Sequence, residues 1–303
     1  MSYDDLVEKI VRLKEERNAV ILAHNYQRPE VQDIADFTGD SLGLSQEAAK
    51  TDADVIVFCG VLFMAETAAI LSPEKTVLLP DPLAGCPMAD MITAEQLRQR
   101  KREYPGSPAV CYVNSTAAVK AECDVCCTSS NAVKIVGSMP DDLPLLFVPD
   151  KYLGMYAASK THKKLILWEG YCPTHMRITA DDINALKREH PAAISLVHPE
   201  CRPEVIAAAD FALSTGAMLK KVRESSEREF IIGTEVGILH PLTKENPDKV
   251  FYPASDRAVC PNMKRITLEK VLWALERMEE RITVPPEIRE RAVRAVDRML
   301  SMS

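Results

Sequence analysis

Short apolar runs alternate with amphipathic stretches along most of this chain. Near its beginning, residues 19–24, 54–60 and 76–80 are apolar runs that predict buried strands, and residues 41–50 and 63–71 have the spacing of helices. Continuous apolar strands that alternate with short helices indicate parallel sheets covered by helices on both faces. The pattern therefore predicts an α/β fold.

The same order of elements recurs in two later stretches. Further strands are predicted at 109–114, 124–128, 145–149 and 164–168, and then at 193–198, 210–213, 229–233 and 250–252. Amphipathic helices are predicted at 264–282 and 286–302. The chain is thus predicted to contain three α/β units followed by two helices.

Individual residues repeat together with the elements. Arg28-Pro29-Glu30-Val31 recurs as Arg202-Pro203-Glu204-Val205, and Cys86 recurs as Cys260 at the same spacing, while a middle copy ends with Cys172. We therefore predict three similar three-layer α/β/α domains with parallel sheets, related by pseudo-threefold symmetry around a central active site. The predicted domains are 1–106 with an N-terminal helix, 107–191, 192–263, and C-terminal helices at 264–303 that pack on the others.

Composition and charge exclude several classes of protein. The formal net charge of −7 argues against non-specific binding to nucleic acid, which requires a basic face. The N-terminus lacks the apolar core of a signal peptide, and the apolar run around residues 55–65 is too short to span a membrane. We expect a cytoplasmic protein with no nucleic-acid or membrane partner. Nine cysteines in a reducing compartment indicate metal or redox chemistry more than structural disulfides.

Each repeat delivers one cysteine that precedes a proline, at Cys86, Cys172 and Cys260. A pseudo-threefold axis would bring these three thiolates together from distant parts of the chain. Thiolate is a soft ligand that suits an iron–sulfur cluster, zinc or copper. Structural zinc normally takes four ligands, whereas a [4Fe–4S] cluster held by three thiolates leaves one iron open as a Lewis acid.

The remaining cysteines carry weaker signals. Cys123 and Cys126 have the spacing of a redox pair, but together with Cys127 they align with an interior strand of the other repeats, which favours plain packing. Three more lie in or beside apolar runs and are expected to be inert: Cys59, Cys111 and Cys201.

Polar residues end the first strand of each repeat. His24, Tyr112 and His198 stand at equivalent positions, and Asn114 and Glu200 follow the last two. Residues at the carboxyl ends of parallel strands face the ligand site. Two histidines that face one centre would bind an anion or carry a proton. Glu200 is the candidate base, because burial near a desolvated centre is expected to raise the pKa of its carboxyl group.

Hydroxyl residues stand where a helix begins in each repeat, at Ser41, Ser129 and Thr215. Capping alone would explain them. Three helix N-termini that converge on one axis would also offer N–H groups to carboxylates or to phosphate. His175 is expected near the metal site because it follows Cys172 by three residues. Three charged residues either line the cavity or face solvent: Glu66, Lys151 and Glu235.

Longer segments around these positions resemble the quinolinate synthase family. The match runs from about residue 19 to residue 263. The segments that carry the resemblance are Ala23-His24-Asn25-Tyr26-Gln27, Gly39-Asp40-Ser41-Leu42, Phe63-Met64-Ala65-Glu66-Thr67, Tyr112-Val113-Asn114-Ser115, Thr128-Ser129-Ser130-Asn131-Ala132, His198-Pro199-Glu200-Cys201 and Ser214-Thr215-Gly216.

The resemblance implies an enzyme of NAD biosynthesis. Such an enzyme condenses iminoaspartate (iminosuccinate) with dihydroxyacetone phosphate and yields quinolinate, phosphate and water. The resemblance also implies a [4Fe–4S] cluster at the junction of three similar α/β domains, with Cys86, Cys172 and Cys260 as its ligands and one open iron as Lewis acid. An aspartate oxidase or dehydrogenase would supply the imine.

The same resemblance implies roles for other residues. Glu200 would move protons with the help of Tyr26 and His198. The residues that would bind the substrates are His24, Ser41, Tyr112, Asn114, Ser129, His198, Glu200 and Thr215. Family members often carry extra cysteines near the C-terminus, but none follows Cys260 here, so a redox switch of that kind is not expected.

Two other functions stay open at this point. A different [4Fe–4S] hydro-lyase would dehydrate a hydroxy acid at an open iron, and substrate tests would distinguish it. A sensor or binding protein built on a metal cluster or on zinc would contain metal but show no turnover.

Overall fold

Each of the three repeats forms its own four-stranded parallel sheet with flanking helices. The computed structural model, which describes residues 2–303, thus confirms the predicted fold class of three α/β/α domains. In every sheet the order of the strands is second, first, third and fourth. The first strand of each repeat therefore lies inside its sheet, and its carboxyl end opens toward the site described below.

The first domain contains four helices and four strands. These are α1 (Tyr3–Glu16), β1 (Ala19–His24), α2 (Pro29–Asp33), β2 (Phe37–Gly39), α3 (Ser41–Lys50), β3 (Val55–Cys59), α4 (Leu62–Leu71) and β4 (Thr76–Leu78). All five residues of β3 are buried, because helices cover both faces of the sheet. The predicted strands at 19–24, 54–60 and 76–80 agree with these bounds to within two residues at each end.

The second and third domains repeat this arrangement. The second contains α5 (Ala94–Glu103), β5 (Ala109–Tyr112), α6 (Ala117–Lys120), β6 (Val125–Cys127), α7 (Ala132–Ser138), β7 (Leu145–Val148), α8 (Lys151–Thr161) and β8 (Leu165–Leu167). The third contains α9 (Ala180–Glu189), β9 (Ile194–Val197), α10 (Pro203–Ala208), β10 (Phe211–Ala212), α11 (Thr215–Glu224), β11 (Glu229–Gly233), α12 (Leu239–Glu245) and β12 (Val250–Pro253).

The helices α5 and α9, which precede the first strands of the second and third sheets, were not predicted, and the predicted domain bounds place them in the preceding domains. Each begins with a capping box, in which Thr93 pairs with Gln96 and Thr179 pairs with Asp182. A threonine followed three residues later by an acidic residue or glutamine was therefore the signal in the sequence. Both helices carry many charges, and α5 buries only Leu97, so their apolar pattern was weak.

Two further helices, α13 (Leu268–Arg277) and α14 (Pro286–Ser301), end the chain. The predicted helix at 264–282 was too long, because Thr267 is extended and Met278 has a φ of 54°, which ends α13. The helix α13 packs beside α1 on the first domain, and α14 packs against β6 and α6 of the second. No helix within residues 2–303 has both the length and the apolar character needed to cross a membrane.

An ion pair holds α13 to the end of the first domain. The carboxylate of Asp81, which is 5% exposed, accepts hydrogen bonds from Nζ of Lys270 at 2.6 Å and from Nε of Arg265 at 3.2 Å. Burial raises the pKa of Asp81, but Lys270, the backbone N–H of Leu83 and Arg265 together lower it by more, so the folded-state pKa lies below the ordinary value.

We expect Asp81→Asn to lower the free energy of unfolding by about 1–3 kcal/mol at pH 7, because it removes a charge-assisted pair. Because the folded-state pKa of Asp81 is depressed, its ionised carboxylate stabilises the protein above about pH 4. This stabilisation is lost as the pH falls and the carboxylate becomes protonated. Denaturant titrations of both proteins at pH 7 and at about pH 3 check this. An equal difference at the two pH values would contradict the ionic origin of the effect.

Candidate active site

One cavity is lined by residues from all three domains, most of them just beyond the carboxyl ends of strands. Every residue predicted for the site lines this cavity: His24, Tyr26, Ser41, Cys86, Tyr112, Asn114, Ser129, Cys172, His198, Glu200, Thr215 and Cys260. The structure therefore brings these residues together, while the roles of the individual residues remain predictions. Phe63 and Met64 contribute an apolar wall.

The three cysteines of the cavity have the same local structure. The carbonyl oxygens of Cys86, Cys172 and Cys260 each accept the N–H of the residue four positions later. A short 3-10 helix follows each one, at Ala89–Met91, His175–Arg177 and Met263–Arg265. The proline after each cysteine restricts φ and leaves no N–H to be satisfied in this turn. Each repeat thus uses one rigid turn to aim a sulfur into the cavity.

The chemistry of these three donors fits a cluster with three protein ligands. All three cysteines are free and partly exposed, and no fourth cysteine lines the cavity within residues 2–303. Burial raises the pKa of Cys86 to about 12 and raises the pKa values of Cys172 and Cys260, although backbone N–H groups of the 3-10 turns oppose this. Cysteine thiols become thiolates when they bind a metal cation.

Glu200 lines the cavity and is 3% exposed. The hydroxyl of Tyr112 donates to its Oε1 at 2.5 Å, and Nδ1 of His175 lies 2.7 Å from its Oε2. Burial raises the pKa of Glu200, but His175, His198 and the Tyr112 hydroxyl lower it to about 2. The prediction of a raised pKa was therefore wrong, because groups from neighbouring elements stabilise the carboxylate more than burial disfavours it.

His24 and His198 occupy matching positions with matching contacts. Nδ1 of His24 accepts the N–H of Tyr26 at 3.1 Å, and Nδ1 of His198 accepts the N–H of Glu200 at 3.3 Å. Burial lowers the pKa of His24 to about 4 and that of His198 to about 3. Both rings are therefore neutral near pH 7, and both carry their proton on Nε2. In His198 this atom lies 3.2 Å from Oγ of Ser129.

Hydrogen bonds link Tyr26 to His175, whose Nδ1 lies 2.7 Å from Oε2 of Glu200. The hydroxyl of Tyr26 contacts Oγ1 of Thr234, which lies 2.8 Å from Nε2 of His175. The other nitrogen of His175 faces Glu200, as described above. Sequence reasoning missed Thr234, which lies one residue beyond β11 at the carboxyl end of the strand. That position was the available signal, but threonine is too common there to indicate a role.

His175 and Glu200 also lie close to one of the cavity cysteines. One ligand atom from each of Cys172, His175 and Glu200 lies within 4.8 Å of the others. The sequence suggested His175 only as a neighbour of the metal site. In the structure it lies close to both Cys172 and Glu200, so that this group could by itself hold a metal ion.

In the second repeat, the helix does not begin at the hydroxyl residue where the sequence predicted it. Ser41 and Thr215 are the first residues of α3 and α11, but α7 begins only after Asn131, so Ser129 belongs to the preceding turn. Asp40 caps α3 by accepting the N–H of Gly43 at 2.9 Å. Two helix N-termini therefore line the cavity directly, rather than three.

A contact among all three domains lies at the same end of the cavity. The hydroxyl of Ser130 donates to Oδ2 of Asp40 at 2.5 Å, and it lies 2.9 Å from the hydroxyl of Ser214. These residues come from the second, first and third domains. Sequence analysis named Asp40 only within the segment Gly39-Asp40-Ser41-Leu42 and assigned it no role.

The three charged residues left open by the sequence have different surroundings. Glu235 lines the cavity and is fully buried, and its carboxylate accepts the N–H of Cys260 at 3.0 Å and pairs with Lys264 at 3.1 Å. Glu66 accepts a backbone N–H of the second domain at 2.9 Å. Lys151 pairs with an exposed glutamate at 2.7 Å. Of the three, only Glu235 belongs to the cavity.

Comparison with known proteins gives one consistent result. The family model described as "Quinolinate synthetase A protein" matches residues 8–301. A quinolinate synthase of Dehalococcoides mccartyi (strain CBDB1) is 60% identical over 299 residues, covering 98% of this chain and 99% of that protein. The quinolinate synthase of Geobacter metallireducens is 58% identical over 302 residues, and "Quinolinate synthase 1" of Methanosarcina acetivorans is 56% identical over 302 residues; each match covers 100% of this chain and 99% of the relative.

Proposed function

This chain belongs to the quinolinate synthetase A family, and from that membership we propose that it condenses iminoaspartate with dihydroxyacetone phosphate to give quinolinate, phosphate and water. The observation that carries the proposal is the convergence of three repeat cysteines with Glu200 and two neutral histidines on one cavity. We further propose that the enzyme serves NAD biosynthesis in the cytoplasm and receives its imine from an aspartate oxidase or dehydrogenase.

We assign a [4Fe–4S] cluster to Cys86, Cys172 and Cys260. Three soft donors on identical turns, with no fourth cysteine among the described lining residues, support this choice over a four-ligand zinc site. When bound, the cluster supplies an open iron that polarises a substrate oxygen or nitrogen as a Lewis acid.

Anionic substrate groups would be held mainly by neutral donors. Arg177 is the one lysine or arginine among the described residues that line the cavity. The Nε2–H groups of His24 and His198 and the N-termini of α3 and α11 can donate to carboxylate or phosphate oxygens without a buried countercharge.

Glu200 is placed to accept protons from the substrates. It is ionised in the free protein, and Tyr112 orients one of its oxygens while His175 faces the other. A proton taken up by the carboxylate could pass to Nδ1 of His175. The chain through Thr234 would then extend this path to the hydroxyl of Tyr26. Tyr26 and Glu200 thus act as two ends of one proton path.

Metal analysis followed by a turnover assay tests the proposed function. Protein purified without oxygen should contain about four iron and four sulfide per chain and should bleach in air. It should then form quinolinate from dihydroxyacetone phosphate and an imine generated in situ. Cluster without quinolinate, but with dehydration of hydroxy acids, would indicate another hydro-lyase, and metal without any turnover would indicate a sensor or binding protein. Zinc alone would overturn the cluster assignment.

Asn114 offers a test of substrate binding. It lines the cavity, and its buried Oδ1 has no hydrogen-bond partner in the free protein. We expect Asn114→Ala to weaken substrate binding by about tenfold or more, since an unpaired buried acceptor that meets a substrate donor contributes about 1–3 kcal/mol. Steady-state kinetics should show a raised KM with unchanged iron content. Asn18→Ala, at an exposed asparagine outside the cavity, is the control, and equal KM values for the two variants would contradict the role.

A further inference from the structure

The carboxylate of Glu235 holds the turn that presents Cys260 to the cavity. Its Oε1 accepts the N–H of Cys260 at 3.0 Å, and its Oε2 accepts the N–H of Gly237 at 2.7 Å. The ammonium group of Lys264 lies 3.1 Å from Oε1 and 3.2 Å from Oε2. Glu235 is fully buried, and removing one partner of a buried ion pair is strongly destabilising. The pair therefore fixes the backbone of Cys260.

This contact is special to the third repeat. In each repeat, the residue after one equivalent position donates its N–H to the carbonyl oxygen two residues before the repeat cysteine, as in Leu62 to Ala84, Lys151 to Gly170 and Val236 to Ala258. The equivalent residues are therefore Val61, Asp150 and Glu235. Val61 is apolar, and Asp150 instead accepts the N–H of Leu153 at 2.8 Å and caps α8. Of the three side chains, only Glu235 accepts the N–H of its own repeat cysteine.

Lys264 extends the contact into the first domain. Its ammonium group donates to the carbonyl oxygen of Tyr26 and lies 3.4 Å from that of Gln27. Its own carbonyl oxygen accepts Nε of Arg28 at 2.8 Å. Lys264 stands four residues after Cys260 and donates its N–H to the Cys260 carbonyl oxygen at 3.3 Å. One residue thus joins the turn of Cys260 to the segment that follows β1.

Tyr26 is attached to this part of the molecule at two points. Its carbonyl oxygen accepts the Lys264 ammonium group, and its hydroxyl contacts Oγ1 of Thr234, the residue before Glu235. Without the Lys264 contact, only the hydroxyl end of the side chain would be held there. The position of the Tyr26 ring therefore depends on the position of the ion pair.

The ion pair leaves no space for a side chain at Gly237. A Cβ atom there would lie 2.6 Å from Nζ of Lys264, 2.7 Å from Oε2 of Glu235 and 2.8 Å from the carbonyl carbon of Tyr26. These atoms are packed so closely that an added methyl group would have to push them apart. A change at this glycine would thus disturb the pair without removing a charge.

We propose that Glu235 and Lys264 are positioning residues that hold the Cys260 sulfur and the Tyr26 ring in one fixed relation. Both assignments, Cys260 to the cluster and Tyr26 to the proton path, rest on the proposed function. The three sulfurs belong to three domains, so the cluster is retained only while the domains keep their relative positions. Residues that orient a metal ligand through hydrogen bonds usually contribute about 10–100-fold to metal affinity or activity.

Iron release to a chelator tests this pair on the loaded protein. Lys264→Met removes the link to Tyr26, and we expect it to lose iron to excess EDTA about 10–100-fold faster than the wild type under anaerobic conditions. Turnover per remaining cluster should fall with an unchanged KM, because Tyr26 loses an anchor while the groups that bind substrate keep theirs. A merely less stable fold would reduce the loaded fraction but not the turnover per cluster.

Two further variants separate position from charge and from domain contact in general. Gly237→Ala keeps every charge and should release iron faster in the same way as Lys264→Met, because its methyl group displaces the pair. Lys244→Met is the matched control. Lys244 is exposed, pairs with Asp33 of the first domain at 2.6 Å and does not line the cavity. Its loss should leave iron release and turnover as in the wild type.

Hydrogen exchange distinguishes failure of this pair from failure of the proposed function. In Lys264→Met, peptides that contain Tyr26 or Cys260 should exchange faster whatever metal the chain carries, while the other peptides of the third domain keep their protection. A chain without a cluster that shows this local change would overturn the proposed function and support the positioning role. Wild-type iron release and exchange in Lys264→Met, equal effects in Lys244→Met, or faster exchange throughout the third domain would overturn the positioning role.

Discussion

Replacing Cys172 by serine is expected to remove iron and turnover together. The proposed cluster has three protein ligands, and the hard hydroxyl of serine is a poor substitute for thiolate at a soft metal centre. The sulfur of Cys172 also lies within 4.8 Å of a ligand atom of His175 and of Glu200. Another cysteine could therefore take its place only if these two residues moved. We expect iron to fall from about four to below about one per chain, with loss of the visible absorption of the cluster.

The matched control for this prediction is Cys123→Ser. It changes a partly exposed cysteine that lies outside the cavity, and it should keep full iron content and turnover. The changes Cys86→Ser and Cys260→Ser should behave like Cys172→Ser, because the three cysteines stand at the same position in three turns of equal geometry. Full iron and sulfide in any one of these three variants would rule out that residue as a ligand.

Glu200→Gln is expected to keep the cluster but lower turnover by about 10²–10⁴-fold, the usual contribution of a positioned acid or base. Glutamine has the same shape and can still accept the Tyr112 hydrogen bond, but it cannot take up a proton. Loss of the charge also leaves His175 without its carboxylate neighbour. Iron analysis and kcat, measured on the same preparation, separate loss of chemistry from loss of cluster.

Glu66→Gln provides the comparison for Glu200→Gln. The Glu66 carboxylate accepts the backbone N–H of Ala117, which an amide oxygen can equally accept, and Glu66 does not line the cavity. Its turnover should stay within about twofold of wild type, since neutral surface or bridging substitutions rarely cost more than about 0.5 kcal/mol. Undiminished turnover in Glu200→Gln would rule out proton transfer by this residue.

The sequence by itself determined the class of fold and the membership of the site. Apolar runs of strand length between helical segments are a local signal, and their threefold recurrence predicted three domains of equal topology. Because parallel strands present their carboxyl ends on one side, residues that end the strands were predicted to converge. Cys86, Cys172 and Cys260 were singled out because each repeat delivers one cysteine before a proline, and no distance between them was needed.

Only the tertiary structure decided the chemical state of these groups. The pKa of Glu200 depends on Tyr112 and His175, which lie 88 and 25 residues away in the chain, and a local pattern predicted its direction wrongly. Thr234 follows the carboxyl end of β11, but only the structure places it in contact with Tyr26 and His175. Electrostatic and hydrogen-bond energies depend on distances of a few ångströms between residues of different domains, and only the packing of those domains sets these distances.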